Sequence, residues 1–141
     1  MTTKPDAPCP CHSGRSYEIC CQPCHTGKIP APTALDLMRS RYSAYALGLA
    51  DYLINTTHRD NPQYRDNIRA WREDITNYCQ NTRFTRLEIL EDCPGKENAT
   101  VTFRASLTQQ NQQTLLTEKS LFLKIGKRWL YHSGETKTTA L

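Results

Sequence analysis

Five cysteines within the first 24 residues constrain the fold of this chain more than any other feature. The chain has 141 residues and seven cysteines, and the five are Cys9, Cys11, Cys20, Cys21 and Cys24. The segment around them has almost no large apolar side chains, so it cannot bury enough surface to fold unaided. A metal ion bound by thiolates can replace such a missing core. The spacing therefore predicts a small metal-binding module near the N-terminus.

The compartment decides how clustered cysteines are used. The first ten residues, MTTKPDAPCP, have no apolar run typical of a signal peptide. The most apolar stretch, residues 44 to 54, is too short to span a membrane and contains Asp51. We therefore predict a cytoplasmic protein. In a reducing cytosol, clustered cysteines are more often metal ligands than disulfides.

Composition and charge argue against a disordered chain and against a protein that binds nucleic acid directly. Hydrophobic residues make up 38% of the chain and charged residues 23%, which predicts a compact core rather than a disordered chain. The net charge of +4 is spread along the chain, and six arginines between residues 59 and 86 are offset by four acidic residues in the same stretch. Nucleic acid is therefore not predicted as a direct partner, although contact through the ribosome stays open.

A change in composition after Pro32 divides the chain into two predicted parts. Residues 1–32 form the metal-binding module and its linker, and residues 33–141 form the larger domain. Thr33 and Asp36 make a capping-box-like helix start. Apolar residues then recur every three or four positions, as in an amphipathic helix. This stripe comprises Leu35, Met38, Tyr42, Tyr45, Leu49 and Tyr52.

Two further helices are predicted before the pattern changes to strands. Gly48 is expected to interrupt the first helix, and Asp51 is expected to cap a second helix that ends near His58. A third helix is expected over residues 68 to 78. From residue 83 onward apolar and polar residues alternate, which indicates four β-strands separated by turns near residues 93–96, 109–113 and 126–127. Helices followed by a meander predict an α+β domain, with the helices on one face of an antiparallel sheet.

Residues 9 to 21 read CPCHSGRSYEICC, a pattern of the form C-P-C-x-S-G-x-x-Y-x-x-C-C. Four thiolates at this spacing can surround one tetrahedral ion. The segment resembles the SEC-C motif, best known from the tail of the preprotein translocase motor SecA. The resemblance implies the ligands Cys9, Cys11, Cys20 and Cys21.

Cys24 and His25 stay open as alternative ligands, since Cys24 stands one helical turn beyond Cys20. Zinc is the predicted metal, with iron as the alternative.

One residue departs from the usual SEC-C pattern. His12 stands where the motif usually has glycine. If this position requires a positive φ, histidine is tolerated there less well than glycine.

The larger domain resembles the YchJ family. The resemblance rests on LMRSRYSAY at residues 37–45, DYLI at 51–54, EKSLF at 118–122 and WLY at 129–131. It implies a nuclear transport factor 2-like cone, in which helices and a curved four-stranded antiparallel sheet enclose a pocket. The candidate pocket residues are Arg41, Tyr42, His58, Glu118 and Trp129, together with Arg39 and Arg104. Thr57 and Ser133 depart from the family pattern, which usually has tryptophan and aspartate at these positions.

Two functions are predicted, and they differ in class. The first is a zinc-binding cytosolic binding or adaptor protein whose SEC-C module presents a basic and aromatic surface to a protein partner. By resemblance, that partner belongs to protein export or the ribosome. The second is an enzyme or small-molecule binder that uses the cone pocket, with His58 as general acid or base and Glu118 or an arginine orienting the substrate.

The sequence favours the binding protein over the enzyme. It contains no catalytic pair at a fixed spacing, so no catalytic residue is predicted, and a metal with four thiolate ligands has no open position for water. The two functions are distinguished by whether His58, Glu118 and an arginine meet in one cavity. The identity of the partner or substrate and the oligomeric state do not follow from the sequence.

Overall fold

The computed structural model describes residue 4 and residues 6–141, and in this part of the chain helices precede strands. A 3₁₀ turn spans Tyr17–Ile19, and the helices are α1 (Gln22–His25), α2 (Ala34–Leu47), α3 (Ala50–Asn55) and α4 (Ile68–Gln80). The strands are β1 (Arg83–Cys93), β2 (Asn98–Gln109), β3 (Gln112–Ile125) and β4 (Arg128–Ala140). None of the described helices has the length and apolarity that crossing a membrane requires.

The four strands form one antiparallel sheet in the order β1-β2-β3-β4, which confirms the predicted meander. Alternate residues of β2 are buried, and the register places Val101 opposite Ser120 and Phe103 opposite Glu118 on the inner face. On β3 the inner face therefore carries Ser120 and Phe122, and the apolar alternation from Leu121 to Ile125 belongs to the opposite face. A bulge in β4 leaves His132 as an extra residue, and bulges bend a strand.

Helix α2 begins and ends where the sequence predicts. The Thr33 hydroxyl accepts a hydrogen bond from the backbone N–H of Asp36 at 3.1 Å, and it donates to the Asp36 carboxylate at 2.8 Å. Gly48 ends the helix with φ of 74°, the left-handed conformation that glycine adopts without strain. Local capping chemistry therefore fixes both ends of this helix.

The prediction for the second helix was wrong at both ends. Helix α3 begins at Ala50, so Asp51 lies in its first turn, and the Asp51 carboxylate accepts a hydrogen bond from Arg72 at 2.7 Å instead of capping. The helix stops at Asn55 because the next residues pair with β4. Thr57 forms a parallel bridge with Tyr131, and the backbone N–H of His58 donates to the Tyr131 carbonyl at 2.8 Å. Tertiary pairing here outweighs the local helical pattern.

The N-terminal module packs into the same core as the larger domain. Cys9, Cys11, Tyr17 and Cys21 are buried in one cluster with residues of α2. On the helix side this cluster includes Leu37, Met38 and Tyr42, and on the sheet side it includes Val101, Phe103 and Phe122. The cysteine-rich segment thus covers one side of α2.

Candidate metal centre and internal cavity

Four cysteine sulfurs converge at the N-terminal end of the molecule. The Sγ atoms of Cys9, Cys11, Cys20 and Cys21 all lie within 4.8 Å of one another. The Sγ atoms of Cys11 and Cys20 are 3.5 Å apart, and those of Cys20 and Cys21 are 3.9 Å apart. Sulfurs on one tetrahedral zinc ion, each about 2.3 Å from the metal, lie about 3.8 Å apart. The donor set and its spacing fit a single metal ion with four thiolate ligands.

A tight loop between the two cysteine pairs brings these sulfurs together. The backbone N–H of His12 donates to the Cys9 carbonyl at 3.1 Å, and the N–H of Cys9 donates to the Arg15 carbonyl at 2.9 Å. His12 has φ of 62° and Gly14 has φ of 89°, so both residues occupy the left-handed region. The position where histidine replaces the usual glycine therefore does require a positive φ, and the loop holds His12 in a conformation that costs free energy.

The thiols of the cluster share their protons unequally. The pKa of Cys11 is lowered most by a hydrogen bond from Cys21 and next by one from Cys9, so Cys11 is the acceptor for both thiols. Donation to Cys11 raises the pKa of Cys9 to about 12 and also raises the pKa of Cys21. A divalent ion takes the place of these protons when thiolates bind it. Metal binding by this cluster would therefore release protons from its thiols.

The two alternative ligands lie outside this cluster. Cys24 is buried on α1, and desolvation raises the pKa of its thiol. Both ring nitrogens of His25 are occupied: Nδ1 lies 2.7 Å from the Tyr17 hydroxyl, and Nε2 lies 2.7 Å from the Ser40 carbonyl oxygen. Because a carbonyl only accepts hydrogen bonds, Nε2 carries the proton and Nδ1 accepts from Tyr17. Burial lowers the pKa of His25, which favours this neutral form.

His25 and its neighbours attach the module to α2. The His25 ring joins Tyr17 of the module to Ser40 of the helix and packs edge-on against Tyr52, with the ring centroids 4.8 Å apart. Arg39, a candidate for the pocket, instead donates from Nη1 to the Cys11 carbonyl at 3.0 Å. The module is thus held by side chains that α1 and α2 supply, in addition to the shared core.

A cavity of about 570 Å³ lies between the helices and the inner face of the sheet. Its wall includes eight aromatic side chains, those of Tyr42, Tyr45, Trp71, Tyr78, Phe84, Phe103, Phe122 and Tyr131. Arg41 and Glu118 also line the cavity and bring opposite formal charges to it. Its size and its mostly apolar wall with a few polar groups are typical of small-molecule sites.

Three hydroxyl groups hold the Glu118 carboxylate in this cavity. Ser120 and Tyr131 donate to Oε2 at 2.5 and 2.9 Å, and Thr136 donates to Oε1 at 3.1 Å. A side chain at Gly134 would enter the same space, because a Cβ built there lies 2.5 Å from Oε2 of Glu118 and 2.6 Å from the Tyr131 hydroxyl. Glycine at position 134 therefore leaves room for this carboxylate. The sequence analysis did not identify these partners. The one available signal was for Ser120, which stands two positions after Glu118 on a strand and therefore lies on the same face of the sheet.

Arg41 is buried beside the same tyrosine. Its Nη1 donates to the Leu53 carbonyl at 2.9 Å and to the hydroxyls of Thr56 and Thr57 at 2.7 and 3.2 Å. The guanidinium carbon lies 4.7 Å from the centre of the Tyr131 ring. Tyr131 thus stands between the two charged groups of the cavity, with its ring beside Arg41 and its hydroxyl on Glu118.

Three other candidate pocket residues, Arg104, His58 and Trp129, do not line this cavity. His58 lies next to β4, where Nδ1 accepts the backbone N–H of Asp60 at 3.0 Å and the ring lies 5.2 Å from that of His132. The pairing of residues 56–58 with β4 turns Thr57 toward the cavity instead. Trp129 lines a second cavity, between the module and α3, together with His25 and Tyr52. The convergence required by the enzyme hypothesis is therefore absent for His58.

Comparisons with known proteins match both parts of the chain. The family model described as "YchJ, middle NTF2-like domain" matches residues 33–134, and the model of the SEC-C motif matches residues 7–23. A UPF0225 protein of Deinococcus radiodurans is 41% identical over 128 residues, which cover 90% of this chain and 88% of that protein.

Solved structures agree with this similarity. The solution structure of a SEC-C motif containing protein from Rhodopseudomonas palustris matches with a TM-score of 0.80 at 30% identity, covering 92% of this chain and 98% of the other. The crystal structure of a SEC-C motif containing protein from Psychrobacter arcticus matches with a TM-score of 0.72 at 31% identity, covering 87% and 78%. The α+β fold predicted from the sequence is confirmed.

Proposed function

Since the chain belongs to the YchJ family, also described as UPF0225, we propose that it is a zinc-binding SEC-C protein that acts as a small cytoplasmic binding or adaptor protein. The observation that supports the proposal most directly is the convergence of four cysteine sulfurs within 4.8 Å. The ligands in this proposal are Cys9, Cys11, Cys20 and Cys21. Zinc suits such a soft tetrahedral donor set, and iron is the alternative.

The proposed metal has a structural role rather than a catalytic one. Four thiolates fill a tetrahedral coordination sphere and leave no position for water or substrate. The loop between the cysteine pairs also contains two residues in the left-handed region and few apolar side chains, so metal binding supplies the free energy that orders it. An ordered loop in turn presents a defined surface to a partner.

The partner surface proposed for the module is basic and aliphatic. Ile19 is 65% exposed and Ile29 is 44% exposed, and Arg15 and Lys28 are also exposed. Tyr17 does not contribute an aromatic side chain to this surface, because it is buried and hydrogen-bonded to His25. Such a surface suits a protein partner with an apolar and acidic face, and the SEC-C resemblance points to protein export or the ribosome.

A matched set of variants tests the adaptor role. Tagged wild-type protein is used for capture from a lysate, and bound proteins are identified by mass spectrometry. Ile19→Asp should lose the partner and keep its metal, whereas Leu90→Asp changes an exposed leucine on the sheet and should lose neither. Cys20→Ser should lose both metal and partner. A partner that is retained equally by all four proteins would contradict a role for the module.

A second candidate function is the binding of a small molecule in the internal cavity. Support comes from Arg41 and Glu118, which line one aromatic cavity of about 570 Å³. His58 does not line it, so the acid or base assigned to the enzyme hypothesis has no access to a ligand there. We therefore propose binding rather than catalysis. Ligand-induced shifts in amide NMR signals of residues around Arg41 and Glu118 would test the proposal.

A further inference from the structure

We infer that the internal cavity takes an uncharged, flat, mostly apolar molecule that offers both a hydrogen-bond acceptor and a hydrogen-bond donor. This inference rests on the proposal that the cavity binds a small molecule, and it adds the chemical class of the ligand. It follows from the wall of the cavity, from the unused hydrogen-bonding capacity of Arg41 and Glu118, and from the balance of their charges.

The wall selects for a flat apolar body. Aromatic rings of Tyr45, Trp71, Phe84 and Phe103 line the cavity, and they are contributed by helices and strands on opposite sides. Aromatic rings pack favourably against the faces and edges of other rings. A volume of about 570 Å³ falls in the usual range for cavities that take drug-sized ligands. A molecule of two or three fused rings fits this space.

Arg41 provides donors for an acceptor on the ligand. A guanidinium group has five N–H donors, and the bonds to Leu53, Thr56 and Thr57 all start from Nη1. The Tyr45 hydroxyl also accepts a hydrogen bond from this guanidinium, and at least two of the N–H groups on Nε and Nη2 have no acceptor among the described residues. Since Arg41 lines the cavity, these donors are available to a carbonyl or ring-nitrogen acceptor there.

Glu118 provides acceptor capacity for a donor on the ligand. An ionised carboxylate has about four lone-pair sites, and three hydroxyl groups occupy three of them. Among the residues that the structure describes, Oε1 accepts only from Thr136, whereas Oε2 accepts from both Ser120 and Tyr131. The open site is therefore on Oε1, and an N–H or O–H group of the ligand completes it.

The balance of charge favours a ligand without net charge. Arg41 and Glu118 contribute one formal charge of each sign, and Arg65 and Asp74, which also line the cavity, are paired with each other. An anionic ligand would leave its excess charge beside Glu118, and a cationic ligand would leave its excess charge beside Arg41. An uncompensated charge in a mostly apolar cavity is costly. A neutral amide-like group satisfies both residues at once.

Three probes that share one ring system test the class of ligand. They are 2-naphthamide, 2-naphthoate and 2-naphthylmethylammonium, which are neutral, anionic and cationic at pH 7. Dissociation constants are measured by NMR titration of the full-length, metal-loaded protein, and shifted amide signals locate the site. The amide should bind the wild type about tenfold or more tightly than either charged probe.

Two variants that each remove one charge should change the order of the probe affinities in opposite directions. Glu118→Gln leaves Arg41 uncompensated and should favour 2-naphthoate, whereas Arg41→Gln should favour the ammonium probe. Glu91→Gln and Arg83→Gln change exposed residues that do not line the cavity, and they should keep the wild-type order. The order of the three probes on the wild type tests the inference even if a variant does not fold.

The outcomes separate the two levels of the proposal. Absence of binding for all three probes to folded wild type would overturn the cavity as a small-molecule site and the ligand class with it. Binding in the cavity with a charged probe preferred would overturn the ligand class and leave the cavity site intact. Preference for the amide, reversed as described by the two charge variants, supports both.

Discussion

Cys20 and Cys24 are four positions apart, and only the first of the two has its sulfur in the four-cysteine cluster. We expect Cys20→Ser to lose the metal, because a hydroxyl is a poor ligand for a soft thiolate site. Cys24→Ser should retain about one metal ion per chain, since Cys24 lies outside the cluster. Elemental analysis of protein purified under reducing conditions measures the ratio. Equal loss of metal in both variants would restore Cys24 as a ligand.

Gly134→Ala tests the space that glycine leaves for Glu118. The added methyl group would meet the Glu118 carboxylate and the Tyr131 hydroxyl, so the carboxylate must move and lose hydrogen bonds. We expect the free energy of unfolding to fall by about 1–3 kcal/mol, as measured by urea denaturation. The loss should be smaller when Glu118→Ala is already present, because the clash with the carboxylate is then removed and only the contact with the Tyr131 hydroxyl remains. Equal losses in the two backgrounds would refute the steric explanation.

Single residues differ in how far the sequence predicts their surroundings. A four-cysteine cluster could be predicted because Cys9, Cys11 and Cys20 lie within a few residues of further cysteines, and the resemblance to the SEC-C motif favoured Cys21 over Cys24 as its fourth member. The partners of Glu118 could not, because Tyr131 and Thr136 reach it only through the register of β3 with β4. A pattern within one strand does not specify its register with the next.

At the scale of elements, the attachment of α1 to α2 depends on a neutral histidine. Burial lowers the pKa of His25 from the ordinary value of 6.5, so the unfolded chain binds a proton more readily than the folded one. The stability that His25 contributes is therefore fully present above pH 6.5 and is lost as the pH falls through the folded pKa. The attachment of the module should weaken in this range.

His25→Gln isolates this effect. Glutamine keeps a donor for the Ser40 carbonyl and an acceptor for the Tyr17 hydroxyl, but it does not titrate. We expect the wild type to lose more thermal stability than His25→Gln between pH 7.5 and pH 5. Loss of metal in acid affects both proteins, so the difference between their melting temperatures reports on His25. A difference that stays constant with pH would contradict the prediction.

Local signals account for the elements that were predicted correctly. The Thr33 cap and Gly48 set the ends of α2, and both act through neighbouring residues. The predicted end of the second helix, near His58, was wrong because pairing of the following residues with Tyr131 competes with the helix. That pairing joins residues more than seventy positions apart, and no short pattern indicates it.

On the scale of the whole molecule, the two predicted parts share one core. The module covers Leu37 and Met38 of α2, and His12 packs edge-on against Tyr42, with the ring centroids 5.7 Å apart. The Tyr42 ring also lines the internal cavity. The Tyr42 side chain therefore contacts the module and also forms part of the cavity wall. Loss of the module should change the packing of residues in the larger domain as well.

A chain of residues 33–141 should still fold, because α2 to α4 and the sheet supply a core of their own. We expect a cooperative thermal transition at a lower temperature than in the full chain, since Leu37 and Met38 lose their cover. Circular dichroism measures the transition, and the full chain with its metal removed serves as the comparison. A chain of residues 33–141 without any cooperative transition would show that the larger domain depends on the module.

The central claim, one metal ion bound by four thiolates, is tested most directly by X-ray absorption at the metal edge of tag-free protein. The spectrum should show about four sulfur neighbours at about 2.3 Å and no nitrogen or oxygen neighbour, for zinc or for iron. The same edge identifies the metal. A first shell with nitrogen or oxygen ligands, or protein purified under reducing conditions without any metal, would contradict the account.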